Sequence, residues 1–239
     1  MGTYMQFCPV AKAMDLLDER WTLLIVRELI AGSGHFNEIR RGLPRMSPAL
    51  LTKRLQRLVR AGVVERYDDG NRVTYVLSPA GRELTPIVEA LGAWGTRWMG
   101  ELGDQDLDPH LLMWDMHRSI DLDAVPHGRT VIRFCFADAP PASRNWWLIV
   151  TPVDVDVCDS DPGQPTDVTV RSDLRTLVRI WRGDIAWVDA LRSGSLRIDG
   201  PGRLTRALPR WLRLSVFAAV PRPPASSTAP QTVVAQGLP

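Results

Sequence analysis

The segment Ser47–Gly62 constrains this chain more than any other. A serine followed by proline is a strong helix start, because the hydroxyl can cap the first turn and the ring suits the first helical position. Gly62 supplies the stop. At about 100° per residue, Leu51, Leu55 and Leu58 fall on one side. Ala49, Lys53, Gln56 and Arg60 fall on the other, with Thr52 and Arg57 on the flanks. Such a helix must rest its leucines on a core and offer a small-to-basic face to something else.

The flanking segments supply that core. Pro9–Ala31 carries Ala13, Leu16, Leu17, Trp21, Leu24, Ile25 and Leu29 at helical spacing, broken by an Asp18-Glu19-Arg20 turn and ended by Gly32-Ser33-Gly34. Phe36–Arg41 fits a short helix with Phe36, Ile39 and Leu43 inward, and Gly42–Met46 makes a turn. After Gly62, two β-rich runs, Val63–Tyr67 and Val73–Leu77, surround Asp68-Asp69-Gly70-Asn71-Arg72, which reads as a hairpin. Ser78-Pro79 starts a further helix whose apolar stripe is Leu84, Ile87, Val88, Leu91, Trp94 and Trp98. Helix, short helix, turn, basic helix and hairpin is the order of a winged helix-turn-helix. Its chemistry suits DNA: a helix fits the major groove, and a hairpin tip can lie along the neighbouring backbone.

Charge points the same way. From His35 to Arg66 there are eight basic residues (Arg40, Arg41, Arg45, Lys53, Arg54, Arg57, Arg60 and Arg66) against Glu38 and Glu65, a local balance of +6 in a chain of net charge +2. The rest is mildly acidic, so the cluster predicts a polyanion partner. On this placement Ala49, Thr52, Lys53 and Gln56 reach base edges. Arg40, Arg41, Arg45, Ser47, Arg57 and Arg60 take phosphates, and Asn71 and Arg72 form the wing tip.

Other chemistry finds little footing. No apolar run approaches the ~18 residues of a membrane span. Met1–Pro9 lacks a basic start and an apolar signal core, so the expectation is a cytoplasmic protein with no membrane partner. Cys8, Cys135 and Cys158 are too few and too scattered for a disulfide framework or a zinc site. The four histidines do not cluster, so no metal and no cofactor is expected. Asp104-x-Asp106-x-Asp108 begins like a calcium loop, but Pro109 stands where the sharp-turn glycine belongs and Asp115 where the closing glutamate belongs. Gly200-Pro201-Gly202 lacks the third glycine of a dinucleotide fingerprint. No nucleophile setting appears, so no catalytic residue is assigned and no enzyme is expected.

The character changes after Gly100. Gly103–Pro109 is acidic, and Leu111–His117 reads as helix. Arg129–Ala137, Trp146–Pro152, Val153–Cys158 and Val168–Arg171 read as strands. Asp173–Trp181 and Ile185–Leu191 read as helices, Ser195–Asp199 as a strand and Arg203–Leu212 as a helix. This predicts two domains, a mainly α winged helix-turn-helix over residues 1–102 and an α+β domain over 111–220, with a linker at 103–110 and a disordered Pro/Ala/Ser/Thr-rich tail at 221–239.

The first hundred residues resemble the HxlR-type winged-helix regulators of bacteria. The likeness is carried by Cys8-Pro9-Val10, Arg20-Trp21-Thr22-Leu23-Leu24-Ile25, Arg27-Glu28-Leu29 and Phe36-Asn37-Glu38-Ile39. Ser47-Pro48-Ala49-Leu50-Leu51, Arg54-Leu55, Leu58, Ala61-Gly62, Val64, Tyr75, Leu77-Ser78 and Gly81 continue it. The resemblance implies a homodimer on a roughly palindromic operator in double-stranded DNA. The pairing would run through the N-terminal helix and the helix that carries Leu84, Ile87, Val88, Leu91, Trp94 and Trp98. It also sets Cys8 where some relatives keep a redox-sensing cysteine, although Cys-Pro is equally a structural hallmark of the family.

The second half is similar to sterol-carrier-protein-like domains, on Asp173-Leu174, Trp181-Arg182-Gly183, Ala190-Leu191 and the strand Gly194-x-Leu196-x-Ile198-x-Gly200. That resemblance implies an apolar tunnel, for which Leu177, Ile180, Trp181, Trp187, Leu191 and Trp211 are the candidate walls. The leading expectation is a sequence-specific, dimeric transcription regulator whose second domain senses a hydrophobic small molecule. Two alternatives stand beside it: a redox-sensing regulator working through Cys8, and a lipid carrier or enzyme accessory that dimerises through its N-terminal half.

Overall fold

The computed structural model describes residues 3–126 and 128–223. Four helices open the chain: α1 (Pro9–Leu17), α2 (Thr22–Ile30), α3 (Phe36–Arg41) and α4 (Pro48–Arg60). An antiparallel hairpin of β1 (Val64–Asp68) and β2 (Val73–Leu77) follows, in register from Val64 opposite Leu77 to Asp68 opposite Val73. Asp69 holds its tip, its carboxylate accepting from the amides of Asn71 at 2.9 Å and Arg72 at 2.7 Å, and Gly70 takes the left-handed conformation there.

The helix expected from Ser78 is in fact two. α5 (Pro79–Arg82) stops after one turn, and α6 (Thr85–Trp98) starts afresh. Pro86 explains the break, since its missing N–H and the restriction it puts on Thr85 favour a new first turn. Ile25, Val26, Ile39, Leu43, Leu51, Leu55, Leu58, Val64 and Leu77 form the core of this unit, and Leu84 and Val88 pack onto it.

The second unit begins with α7 (Pro109–His117), capped by Asp108. A mixed sheet contains β3 (Thr130–Phe136), β4 (Asn145–Val150), β5 (Val155–Cys158), β6 (Val168–Ser172) and β7 (Leu196–Asp199). The strands lie in the order β5-β4-β3-β6-β7. Only β3 and β6 run parallel. Before and after β7 come α8 (Leu174–Trp181), α9 (Trp187–Ser193) and α10 (Gly202–Trp211). Ile132, Phe134 and Phe136 alternate inward along β3, and with Trp146, Leu148 and Val150 of β4 they meet the apolar faces of α7, α8 and α10. The predicted α+β composition is therefore present, with each element within a few residues of its expected place.

The segment expected as a linker is docked. Arg175 of α8 donates to the Leu102 carbonyl at 2.8 Å and to Asp104 at 2.6 Å, and Arg182 donates to the Gly100 carbonyl at 2.8 Å. Arg45 reaches across to the Gln105 carbonyl at 2.7 Å. Most of the expected disordered tail lies outside the described residues; near its start Arg222 pairs with Asp184 at 2.7 Å. Just before it, the Phe217 ring lies against Gly92 of α6, where any side chain would collide with it.

Candidate nucleic-acid interface and the junction behind it

The basic helix α4 is built as its sequence indicates. The Ser47 hydroxyl accepts from the Leu50 amide at 3.3 Å, Pro48 occupies the first turn, and Leu51, Leu55 and Leu58 are fully covered. Ala49, Thr52, Lys53, Gln56 and Arg60 all face solvent. Lys53, Gln56 and Arg60 make no hydrogen bond or ion pair among the described residues. Thr52 donates its hydroxyl proton back to the Pro48 carbonyl at 3.0 Å, so it presents its methyl group and lone pairs outward.

Arg57, expected on a phosphate, has another occupation. Its guanidinium is bound to Glu19 and to the Asp15 carbonyl. Arg54 joins it on Glu19 at 2.6 Å and donates to the Arg20 carbonyl at 3.2 Å. The two arginines thus brace α4 against the α1–α2 turn, where Trp21 is held at φ 79°, a conformation uncommon for a bulky residue. On the wing, Asn71 is exposed and Arg72 extends past Glu38 at 3.7 Å.

Helix α6 buries none of its residues. Ile87, Leu91, Trp94 and Trp98 are each about half exposed (48%, 49%, 52% and 47%), and Phe7 and Val10 add apolar surface at the N-terminal end. Exposed apolar surface of this extent is characteristic of interaction surfaces.

A family model for HxlR-like helix-turn-helix proteins matches residues 16–102. The HTH-type transcriptional regulator YvaP of Bacillus subtilis is 39% identical over 98 residues, which are 39% of this chain and 91% of that protein. The chain belongs to the HxlR-like helix-turn-helix family. A second HTH-type transcriptional regulator, sll1512 of Synechocystis, is 36% identical over 95 residues, 38% of this chain and 70% of its own. Among solved structures, the reduced form of the transcriptional regulator YodB from B. subtilis is 32% identical over 38% of this chain and 93% of that one, with a TM-score of 0.34. The HxlR-like unit is thus a DNA-binding domain of transcription regulators, and the family match ends where the second unit begins.

Between the HxlR-like unit and that second unit lies a buried ionic node. Glu28 of α2 is wholly buried. Its carboxylate accepts from Arg27 at 2.6 Å, Ser33 at 3.1 Å, Arg118 at 2.9 Å and the Trp114 indole N–H at 3.3 Å. Burial works against the charged form, but the Arg118 hydrogen bond and the charges of Arg27 and Arg118 prevail and hold the Glu28 carboxyl below the usual range. Asp115, also bound to Arg118, goes the other way, because burial pushes its carboxyl up more than the arginines draw it down. Sequence reasoning does not single out Glu28; the available signal is an acid on the inward side of an apolar helix, one turn after Ile25.

The expected tunnel residues sit elsewhere than in a tunnel. Leu177, Ile180 and Trp211 are each 1% exposed and belong to the packed core, while Leu191 points outward from α9. The gap among Met116, Leu177, Ile180, Trp181, Trp187 and Leu212 has no room for a water-sized sphere. The reason is that α8 and α10 both present strongly one-sided apolar faces, whose residues Leu174, Leu177, Ile180, Leu204, Leu208 and Trp211 join one packed core. Cys8 precedes α1, half-buried, and its side chain makes no capping hydrogen bond. Among the described residues no group of His, Cys, Asp and Glu could hold a metal ion, and no helix is long and apolar enough to cross a membrane.

Proposed function

We propose that the chain is a dimeric, sequence-specific transcription regulator that reads double-stranded DNA with α4 and takes a small-molecule signal through its second unit. The observation that carries the reading is the outer face of α4: Lys53, Gln56 and Arg60 stand exposed and unpartnered beside Ala49 and Thr52, on a helix fixed by a cap at one end and by Arg54 and Arg57 on its flank. Charges held at a surface without partners suit a polyanion, and the small residues let the helix approach base edges closely. Arg40, Ser47 and the wing residues Asn71 and Arg72 border that face as backbone contacts.

Dimerisation is supported by the stripe on α6, with Ile87, Leu91, Trp94 and Trp98 outward while Leu84 and Val88 turn onto the domain's own core. The filled core of the second unit speaks against a lipid-carrier role, so the signal is assigned to the junction rather than to a tunnel. The Cys8 reading is separated by oxidant: a redox regulator loses DNA affinity on oxidation, and Cys8→Ser abolishes that response. The deciding experiment selects bound sequences from a random DNA pool with the full chain, then measures affinity for the selected site over several salt concentrations. Enrichment of a two-fold-related motif with a steep salt dependence is expected. A pool that fails to converge overturns sequence-specific regulation.

A further inference from the structure

Behind the DNA-facing surface, α3 and the turn after it look across a cleft of about 770 Å³ at the second unit. We propose that this cleft binds a small planar anion of the aromatic carboxylate class and that its occupancy weakens DNA binding; the second half rests on the regulator reading above. The size is that of an ordinary ligand site.

The lining gives the class. Arg40 and Arg41 come from α3, Arg45 from the turn, and His110, Trp114 and Trp146 from the second unit. Arg40 has no partner among the described residues. Arg41 has no carboxylate partner; its guanidinium lies over the Trp114 ring, 5.4 Å from the centroid. Two guanidinium groups without counter-charges in a concave site concentrate positive potential, and each offers the planar fork that matches a carboxylate. The opposite wall is aromatic: His110 stands edge-on to Trp146, with centroids 4.8 Å apart at 85°. Trp114 and Trp146 are nearly buried and offer only their edges, so a flat ring would lie against the exposed His110 imidazole and those edges, with the guanidinium groups of α3 across the cleft from it.

The cleft also holds two acids, and they do not reverse this polarity. Asp108 is already engaged, accepting from the amides of His110 at 2.9 Å and Leu111 at 3.4 Å and lying 3.8 Å from Arg45. Asp159 is exposed at the rim. A cationic ligand would therefore meet one unengaged carboxylate against two guanidinium groups that have no carboxylate partner.

The site is wired to both units. The Trp114 ring that lines the cleft donates its indole N–H to Glu28 in α2, and Arg41 sits on the helix just before α4. A carboxylate that recruits Arg40 and Arg41 withdraws them from any DNA phosphate and favours one seating of Trp114. A ligand that discriminates between two arrangements in this way must change DNA affinity, and DNA must change ligand affinity by the same factor.

The test titrates full-length protein with 2-naphthoate, using 2-naphthylmethanol as the uncharged equivalent and acetate as the anion without a ring. Calorimetry and tryptophan emission serve as readouts. Saturable binding of one naphthoate per chain, at least about ten-fold tighter than either comparator, is expected. The double variant Arg40→Gln with Arg41→Gln should lose about ten-fold in naphthoate affinity while keeping its far-ultraviolet dichroism and melting temperature. If it misfolds, His110→Ala, which alters an exposed side chain on the other wall, should still weaken naphthoate. Equal binding of naphthoate and the alcohol, no saturation, or unchanged affinity in the folded variants overturns the site. Naphthoate binding that leaves affinity for the selected DNA unchanged overturns the coupling alone. Loss of DNA binding by the protein without any probe would instead count against the regulator reading, so the two failures are told apart.

Discussion

Glu28 is wholly buried away from bulk solvent, so its neighbours must supply what a carboxylate needs. Replacing it by glutamine keeps the shape and some hydrogen bonds but strands Arg27 without a counter-charge and leaves Arg118 with Asp115 alone. Glu28→Gln should cost roughly 3 kcal/mol in chemical denaturation, near the lower end for breaking a buried pair. The pH dependence has a definite sign. A carboxyl held below its ordinary value stabilises the fold above about pH 4.3, and that contribution drains away as the pH falls through the lowered value. The difference between wild-type and variant stability should therefore be constant near neutrality and shrink in acid; a difference independent of pH down to the acid limb would contradict the ionic role. Asp115 acts in the opposite sense, and the Glu28 charge is one of the influences that raise it, so in the variant its carboxyl titrates lower and opposes the fold less. Gly42 belongs to the same node: its carbonyl accepts from Arg27 at 2.9 Å, and an added Cβ would fall on the Glu28 carboxylate. Because that carboxylate is pinned by several donors it cannot give way, and Gly42→Ala should destabilise by about 1–3 kcal/mol in the same measurement.

Among the elements, α4 and α6 differ in how their sequences can be read. The face of α4 follows from local periodicity and a Ser-Pro cap, so spacing alone suffices to turn Ala49, Thr52, Lys53, Gln56 and Arg60 outward. The role of Arg57 is not legible in this way, since its partner Glu19 lies 38 residues upstream and a flank position fits phosphate and scaffold equally well. Glu28 and Arg118, 90 residues apart, escape for the same reason: periodicity shows which face is inward, not what arrives there from another unit. The tunnel expectation fails similarly, because Leu177 and Trp211 give the same apolar spacing whether they line a cavity or close one. For α4, Lys53→Ala should leave the fold intact and weaken DNA binding. If Lys53 contacts phosphate, the slope of log K against log salt falls by about 1; if it contacts guanine, ~1–3 kcal/mol of discrimination disappears. For α6, Trp94→Ala together with Trp98→Ala should shift the protein towards monomer in sedimentation and reduce affinity for a two-half-site DNA. An unchanged dimer would remove this stripe from the interface.

At the scale of the molecule, the HxlR-like unit has a core of its own. Yet here the unit is not left alone. Arg175 and Arg182 hold the connecting segment, Phe217 lies on Gly92, and Trp114 and Arg118 reach into α2. Attachments at three places make it hard for one half to melt while the other stays intact. Heating should therefore give one endotherm, with a calorimetric enthalpy equal to the van't Hoff value, rather than the two expected of domains on a free tether. The Glu28 node makes the halves non-interchangeable as well. A chimera that joined this second half to another family member, one with an apolar residue in place of Glu28, would leave the Arg118 guanidinium with only Asp115 to answer it, and such a hybrid should unfold in two steps where the parent unfolds in one.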